Sequence, residues 1–503
     1  MACSHKESCG NTGSPVRREP QGDRPDLREG QTGPGGKSER PIVPKNPGNL
    51  GEGKEPQFKD SARRSEGLGI GKSLPTQSKV GQLQEALHVK AKENPSYRFY
   101  SLYDKVWRED VLEEAWKHCR ANDGVPGVDG ISFEQIEKAG VEQWLGELAK
   151  ELKEKSYRPQ ALKRMWLKKT EGGERPIGIA TIKDRVAQMA AVIVLEPIFE
   201  ADLCEEQYGY RKGRNAHQAV QQIQQALRQG HRDVVDGDLS GYFDSIPHHE
   251  LLKSVARRVS DGAMLKLIRQ WLEMAVEEDD GKGGKRRTTQ ARDNRQGTPQ
   301  GSPLSPLLSN VYMRRFILGW EKLGCRKAYA GKIVAYADDF VILCKAGMAP
   351  AAREAMERIM KKLKLRVNER KTRTAQLPAE SFEFLGYRFG MCHSPRGKGS
   401  GIAPQPSKKA IGRITEAISE ETGREHYWKP VKMLVGTLNE KLRGWKAYFR
   451  VGWCSKAYRD VDNHARHRLR QWLNGKHQSR GYKRQRHNPT YLHCKLGLIR
   501  LGR

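Results

Sequence analysis

The segment Ile333-Val-Ala-Tyr-Ala-Asp-Asp-Phe-Val-Ile-Leu343 decides the architecture. Two short apolar runs, Ile333 to Tyr336 and Phe340 to Leu343, flank Ala337-Asp338-Asp339. Runs this short, with Val and Ile among them, predict two strands joined by a tight hairpin. The hairpin sets two carboxylates side by side. Adjacent like charges raise each other's pKa unless a cation neutralises them. A solvated Asp-Asp turn would be the ordinary reading of the dipeptide alone, but it leaves the apolar strands on either side unexplained. A pair of hard cations explains both. Two metals ~4 Å apart can activate an attacking hydroxyl and stabilise a leaving pyrophosphate. Mg²⁺ takes oxygen ligands, usually one or two carboxylates plus substrate phosphates.

Such a centre needs a third carboxylate from a neighbouring strand. Val234-Val-Asp-Gly-Asp-Leu-Ser-Gly-Tyr-Phe-Asp-Ser-Ile246 supplies candidates. Asp238 stands where an apolar strand over 233–239 ends in a turn. Asp236 and Asp244 are rivals, and Asp236 shares the strand face of Asp238 because side chains repeat every two residues. The residues alone leave that choice open.

Working outward, helices are expected over 82–92, 110–119, 133–155 and 184–199. A further helix starts at the N-cap Asn215 and carries Ala216, Ala219, Val220, Ile223, Ala226 and Leu227 on one face. Residues 157–182 read as two strands around a polar turn. Asn122 to Gly130 is dense in turn residues, and 277–296 is a charged insertion, either a hairpin or a mobile loop. A long helix is expected over 305–322, a basic one over 351–365 and a hairpin over 382–389. Beyond about residue 400 helical patterns dominate, over 408–421, 430–449 and 457–474.

Three motifs now identify a resemblance. Gly297-Thr-Pro-Gln-Gly-Ser-Pro-Leu-Ser-Pro-Leu-Leu-Ser-Asn310, Tyr336-Ala-Asp-Asp339 and Arg175-Pro-Ile-Gly-Ile179 together resemble a bacterial group II intron reverse transcriptase and maturase, over about residues 95–475. The resemblance implies an α+β right-hand polymerase with fingers, a palm built on an antiparallel sheet, and an all-α thumb or maturase domain. Composition marks 1–80, rich in Gly, Pro, Ser and charge, as a disordered basic arm and 476–503 as a basic tail expected to touch nucleic acid loosely; between them domains are expected at 81–156 (a helical extension of the fingers), 157–395 (fingers and palm) and 396–475 (thumb). The resemblance selects Asp238, with Asp338 and Asp339, as the aspartates that hold two Mg²⁺ ions, and adds Leu239 to the metal and dNTP contacts. Phe243 matches the aromatic that abuts the sugar of the incoming nucleotide and excludes a 2′-hydroxyl. Gln300 matches the glutamine of the dNTP pocket, and Gly301 would let the backbone approach the nucleotide.

Lys168, Lys169 and Arg175 resemble the basic residues that grip the triphosphate, Lys as a point charge and Arg by bidentate contact. Lys169 is taken with Arg175, although either lysine could face the phosphates. Lys371, in Val367-Asn-Glu-Arg-Lys-Thr372, matches a lysine that can act as general acid near the pyrophosphate; an exposed ion-pairing lysine is the alternative. Phe384-Leu-Gly-Tyr387 resembles the primer grip. Arg211, Lys212 and Arg214, in Tyr208-Gly-Tyr-Arg-Lys-Gly-Arg-Asn-Ala-His217, read as template or phosphate contacts. Leu438 to Gly452 resembles the maturase core, with Lys441, Arg443, Lys446 and Arg450 as RNA contacts between aromatics that are mostly core.

The bulk numbers agree. Lys and Arg number 91 against 60 Asp and Glu, a net charge of +31. A chain this basic attracts polyanions. No apolar run approaches the ~20 residues that span a bilayer, so no membrane partner and a cytoplasmic, nucleoid-associated location are expected. The nine cysteines are scattered without a Cys-x-x-Cys pair, which argues against zinc clusters and disulfides. Many relatives end in a His- and Cys-rich endonuclease; none is expected here. The implied partners are a group II intron RNA, a DNA target or primer, and dNTPs. The rivals are a retron, diversity-generating or defence reverse transcriptase, a non-enzymatic splicing factor, and an RNA-dependent RNA polymerase. The maturase-like segment, the complete aspartate set and Phe243 count against them in turn.

Overall fold

A computed structural model describes residues 78–168, 174–279, 284–393, 399–478 and 487–502. The expected arm therefore lies almost wholly outside the described residues. Helix Lys79–Glu93 opens the described chain, with the Ser78 hydroxyl accepting from Gly81 N–H. Helix Glu109–Asn122 follows. The single helix expected over 133–155 is two, Phe133–Ala139 and Val141–Lys153. Gly140 breaks it at φ +103°, a conformation that side-chain-bearing residues rarely adopt. Ser132 and Gln135 close a capping box at the start of the first piece. Helix Ile182–Glu200 runs through the centre of this layer and is buried along most of its length.

Among the described residues the strands are β1 (Leu162–Lys168), β2 (Glu174–Ile179), β3 (Asp233–Gly237), β4 (Val276–Asp279), β5 (Lys285–Thr288), β6 (Lys332–Tyr336), β7 (Asp339–Cys344), β8 (Arg373–Gln376), β9 (Phe382–Phe384), β10 (Tyr387–His393) and β11 (Ser400–Pro406). They form three sheets, ordered β2-β1-β4-β5, β6-β7-β3-β8 and β11-β10-β9. The first is the fingers sheet, so the charged insertion is a hairpin that extends it. The second is the palm, antiparallel throughout.

β3 lies between β7 and β8 and is buried on both faces. Val235 joins the core shared with the N-terminal and palm helices, while Val234 joins a second cluster beneath the sheet. That second cluster also holds Val334, Val341, Phe382, Phe384, Leu385 and Tyr387. It therefore fastens the β9–β10 turn to the underside of the catalytic strands.

The expected thumb boundary at 396 falls short of the helices. Residues 400–406 form β11, paired with β10 along its full length, and the helical block begins at Lys408 after the N-cap Ser407. Helices Lys408–Glu421, Val431–Tyr448 and Ser455–Lys476 pack around Ile418, Leu434, Leu438, Leu442, Val461 and Leu469. Of the basic tail expected over 476–503, residues 487–502 are described and pack on the thumb. Leu492, Leu498 and Leu501 are buried in the thumb core, and Asp462 accepts from Leu501 N–H at 3.0 Å. Apolar burial, not charge, decides where this segment lies. Among the described residues no helix is long and apolar enough to cross a membrane.

Candidate active site

The two apolar runs pair as β6 and β7 in the register Tyr336↔Asp339, leaving Ala337 and Asp338 as a two-residue turn. Ala337 takes φ +58°, which costs an L-residue about 1 kcal/mol. Neighbouring backbone holds the turn in that shape. Tyr208 N–H donates to Ala335 O at 2.9 Å and Ala335 N–H to Glu206 O at 2.8 Å. Gly209 lies so close to Ala337 that a Cβ there would sit 2.5 Å from its nitrogen. Asn310 ties this approach to the long helix Ser305–Lys322 by donating to Gly209 O at 2.8 Å, and Gln207 returns a bond to Asn310 O at 2.9 Å.

Asp238 follows the end of β3, beside the hairpin. Gly237 makes that placement possible, because the Phe340 ring lies where its Cβ would be. The segment after Leu365 orients the carboxylate. Asn368 Nδ2 donates to Asp238 Oδ2 at 2.9 Å, Asn368 N–H donates to Asp238 O at 2.8 Å, and Asp238 N–H donates to Thr372 Oγ1 at 3.2 Å. Sequence reasoning singled out Lys371 in this motif and missed Asn368 and Thr372.

The rival carboxylates have other partners. Asp236 faces Arg373 across the β3–β8 pair, with 3.3 Å between Nε and Oδ2. Burial pushes its carboxyl up to about 6 although Arg373 opposes the shift. Asp244 accepts from Gln300 Nε2 at 3.0 Å.

The electrostatics show which groups converge. Burial pushes Asp339 up to about 7, and Asp338, Asp238 and Asp236 push the same way, with Lys371 opposing. Asp338 is raised by burial and by Asp238, while its own backbone N–H and Arg175 act against the shift. These half-buried carboxylates therefore carry like charge that the protein's own cations leave partly uncompensated. An all-oxygen donor set of that charge fits a hard divalent cation. Among the described residues, no three His, Cys, Asp or Glu side chains close into a metal cage by themselves.

Phe243 stands in the short helix Tyr242–Ser245 and packs edge-on to Tyr210, ring centres 6.5 Å apart. Its carbonyl accepts from Thr298 N–H at 2.7 Å, which fixes it to the Gly297–Asn310 motif. Tyr210, at φ +55°, lies between Phe243 and the hairpin. Burial and then Asp338 push its hydroxyl well up. Sequence reasoning had only a basic loop there; a tyrosine in a run of glycines and cations gives no signal of this role.

Gly301 approaches the fingers. Its Cβ would meet Gly178 O at 2.7 Å, and Gln300 O accepts from Gly178 N–H at 2.8 Å. The close approach expected toward a nucleotide is thus made to β2. Arg175 is exposed on β2, near enough to the site to oppose the burial shifts of Asp338 and Asp244. Lys169 lies outside the described residues. Leu239 is buried and bridges to Val367. Lys371 is exposed.

The basic candidates divide. Arg211 is only 5% exposed in its side chain, pairs with Glu200 at 2.5 Å and donates to Cys204 O and Gln207 O. Its donors are spent inside the protein, so the expected RNA contact is replaced by a structural one. Lys441 pairs with Glu421 at 3.5 Å. Arg214 lies over the Tyr208 ring and Lys446 over the Tyr458 ring. Lys212, Arg443 and Arg450 are exposed. On helix Ser455–Lys476, Arg468 donates to Ser419 O and Thr422 Oγ1, while Arg470 is exposed.

Two family models match the chain. "Reverse transcriptase (RNA-dependent DNA polymerase)" covers residues 167–389 and "Group II intron, maturase-specific domain" covers 411–491. Protein YkfC of Escherichia coli (strain K12) is 30% identical over 368 residues, 66% of this chain and 93% of that one. Group II intron-encoded protein LtrA of Lactococcus lactis subsp. cremoris is 32% identical over 245 residues, 46% of this chain and 38% of its own length. Among solved structures, a chain of the partial Cas6-RT-Cas1--Cas2 complex is 27% identical at a TM-score of 0.32, covering 52% of this chain and 41% of that one.

Proposed function

The chain belongs to the reverse transcriptase family, in the branch that carries a group II intron maturase-specific domain, and on that premise we propose that it is an RNA-directed DNA polymerase that binds a group II intron RNA, assists its splicing and copies it into DNA. The observation that carries the polymerase half is the convergence of Asp238, Asp338 and Asp339 at the palm hairpin, with Arg175 of the fingers beside them. Asp238, Asp338 and Asp339 would hold two divalent ions, Mg²⁺ by the hardness of the donors, with the nearby Leu239 completing the contacts. Bound ions supply activation of a primer 3′-hydroxyl and charge neutralisation at the departing pyrophosphate.

The remaining work falls to side chains. Arg175, together with Lys169 or Lys168, grips the triphosphate. Phe243 lies against the sugar and excludes a 2′-hydroxyl, while Tyr210 backs its ring. Gln300, held to Asp244, lines the nucleotide pocket. Lys371 is the candidate general acid. The maturase half rests on the helical block from Lys408 onward, where Arg443 and Arg470 on the helices and Arg450 just past one are exposed and can track phosphates.

Primer extension on an RNA template tests the reading. The native chain should incorporate dNTPs with added Mg²⁺, and Asp338→Ala should lower the rate by on the order of 10³-fold. Undiminished incorporation by the variant would remove the catalytic assignment. For the maturase half, the protein should lower the Mg²⁺ concentration at which its intron splices; an unchanged requirement would remove that half alone.

A further inference from the structure

The last carbonyls of an α-helix have no partners within the helix and must find donors elsewhere. The thumb helix Val431–Tyr448 finds them in the palm. Tyr448 O accepts twice, from the Tyr387 hydroxyl at 2.5 Å and from His217 Nε2 at 2.7 Å. His217 Nδ1 lies 3.4 Å from an Arg450 guanidinium nitrogen, so the two partners select the tautomer with its proton on Nε2. His217 opens helix Ala216–Arg228 of the palm, and Tyr387 opens β10.

The contact is reciprocal. The Tyr448 hydroxyl reaches back and donates to Leu385 O at 3.0 Å. Leu385 sits in the turn between β9 and β10 at φ +51°, followed by Gly386 at φ +74°. A leucine in the left-handed region is strained and persists only where its surroundings over-determine it. Here the surroundings are largely thumb. Tyr448 holds the Leu385 carbonyl, Ser407 N–H holds the Gly386 carbonyl at 2.9 Å, and the Phe449 ring lies 3.3 Å from where a Gly386 Cβ would be. From below, Leu385 is buried against the cluster that contains Val234 and Val341 of the catalytic strands.

We propose that Tyr448 is a positioning residue for polymerisation: the end of the thumb helix sets the Leu385–Gly386 turn, and through it the alignment of the primer 3′ end with the palm aspartates. The inference rests on the polymerase reading above. It also gives the thumb's nucleic-acid contacts a route to the chemistry. Arg443 and Arg450 lie on or just beyond the helix whose last carbonyl is clasped, so RNA bound there bears on the turn directly. Holding reactants in line supplies much of the rate in such a transfer. Loosening the turn should therefore slow the chemical step more than it weakens binding.

The test uses the full chain, an RNA template with an annealed DNA primer, and saturating dNTP. Tyr448→Phe keeps the ring and removes the hydroxyl. The first-turnover rate is expected to fall about tenfold, with the primer–template Kd within about twofold and the Tm within about 4 °C. His217→Ala removes a donor from the Tyr448 carbonyl by a change on the palm side of the contact and should give the same split, so it decides the matter if Tyr448→Phe fails to fold. Tyr387→Phe combined with Tyr448→Phe should cost little more than one alone, because both act through one clasp. An unchanged rate in the variants overturns the inference. A rate that falls only in step with Kd and Tm reduces the residue to a structural one and also overturns it. An inactive native chain would instead refute the polymerase reading on which it stands.

Discussion

Asn368 illustrates how a catalytic carboxylate depends on its neighbours. It contacts Asp238 through both side chain and backbone, and Thr372 meets the Asp238 amide from the same loop. Asn368→Ala is expected to lower incorporation by about 10- to 100-fold, the usual loss when a group that orients a ligand is removed, with the primer–template Kd unchanged in a filter-binding assay. Phe243→Ala opens the sugar pocket. NTP use relative to dNTP should rise by on the order of 100-fold, scored by primer extension with each nucleotide pool, because excluding a hydroxyl by shape is lost with the ring. At this scale the sequence was legible where residue type alone carries the chemistry, as at Asp338 and Asp339. It was opaque where the role comes from contact. Nothing in the letters of Asn310 announces that it fastens Gly209 beneath the hairpin, nor in Arg211 that Glu200 has already claimed its guanidinium.

Elements meet through a few capped or unencumbered positions. Gly237→Ala would drive a methyl into the Phe340 ring and separate β3 from β7 at the point where Asp238 leaves the strand. A loss of about 1–3 kcal/mol is expected in chemical denaturation, as for other overpacked cores. Asp261 joins the N-terminal block to the palm by a cap shared between two elements. Oδ2 accepts from Leu102 and Tyr103 N–H, each at 2.8 Å, and Oδ1 accepts from Ala263 and Met264 N–H at the start of helix Gly262–Leu272. Burial alone would push this carboxyl up, but the four amides together pull it below the usual range.

The group is thus depressed in the folded state. Its contribution is fully present above the unfolded value of about 3.9 and disappears as pH falls through the lower folded one. Hydrogen exchange at Leu102 and Tyr103 should accordingly accelerate over that acid window once intrinsic rates are corrected, and Asp261→Asn should reproduce the loosening at neutral pH. Element existence was largely readable from periodicity, including the helices over 305–322 and 408–421. The missed breaks have a physical cause: Gly140 and β11 are settled by a backbone angle and by pairing with β10, neither of which has a hydrophobic period.

Over the whole molecule, the net charge of +31 sets the behaviour toward RNA. If six or more phosphates are neutralised, raising monovalent salt from about 50 to 200 mM should weaken intron binding by roughly 10³-fold or more, read as the slope of log Kd against log salt; a flat slope would mean the charge is not used for binding. The chain's division into fingers, palm and thumb was foreseeable from its motifs. The docking of its last described residues was not, because the apolar residues Leu492, Leu496, Leu498, Ile499 and Leu501 follow neither the helical nor the strand period. Their burial bears on synthesis. Leu434, Leu438 and Leu442 are translated some sixty residues before Leu501, so the thumb helices leave the ribosome with part of their apolar seam uncovered. A ribosome stalled before Leu501 carries a thumb that lacks part of its apolar cover.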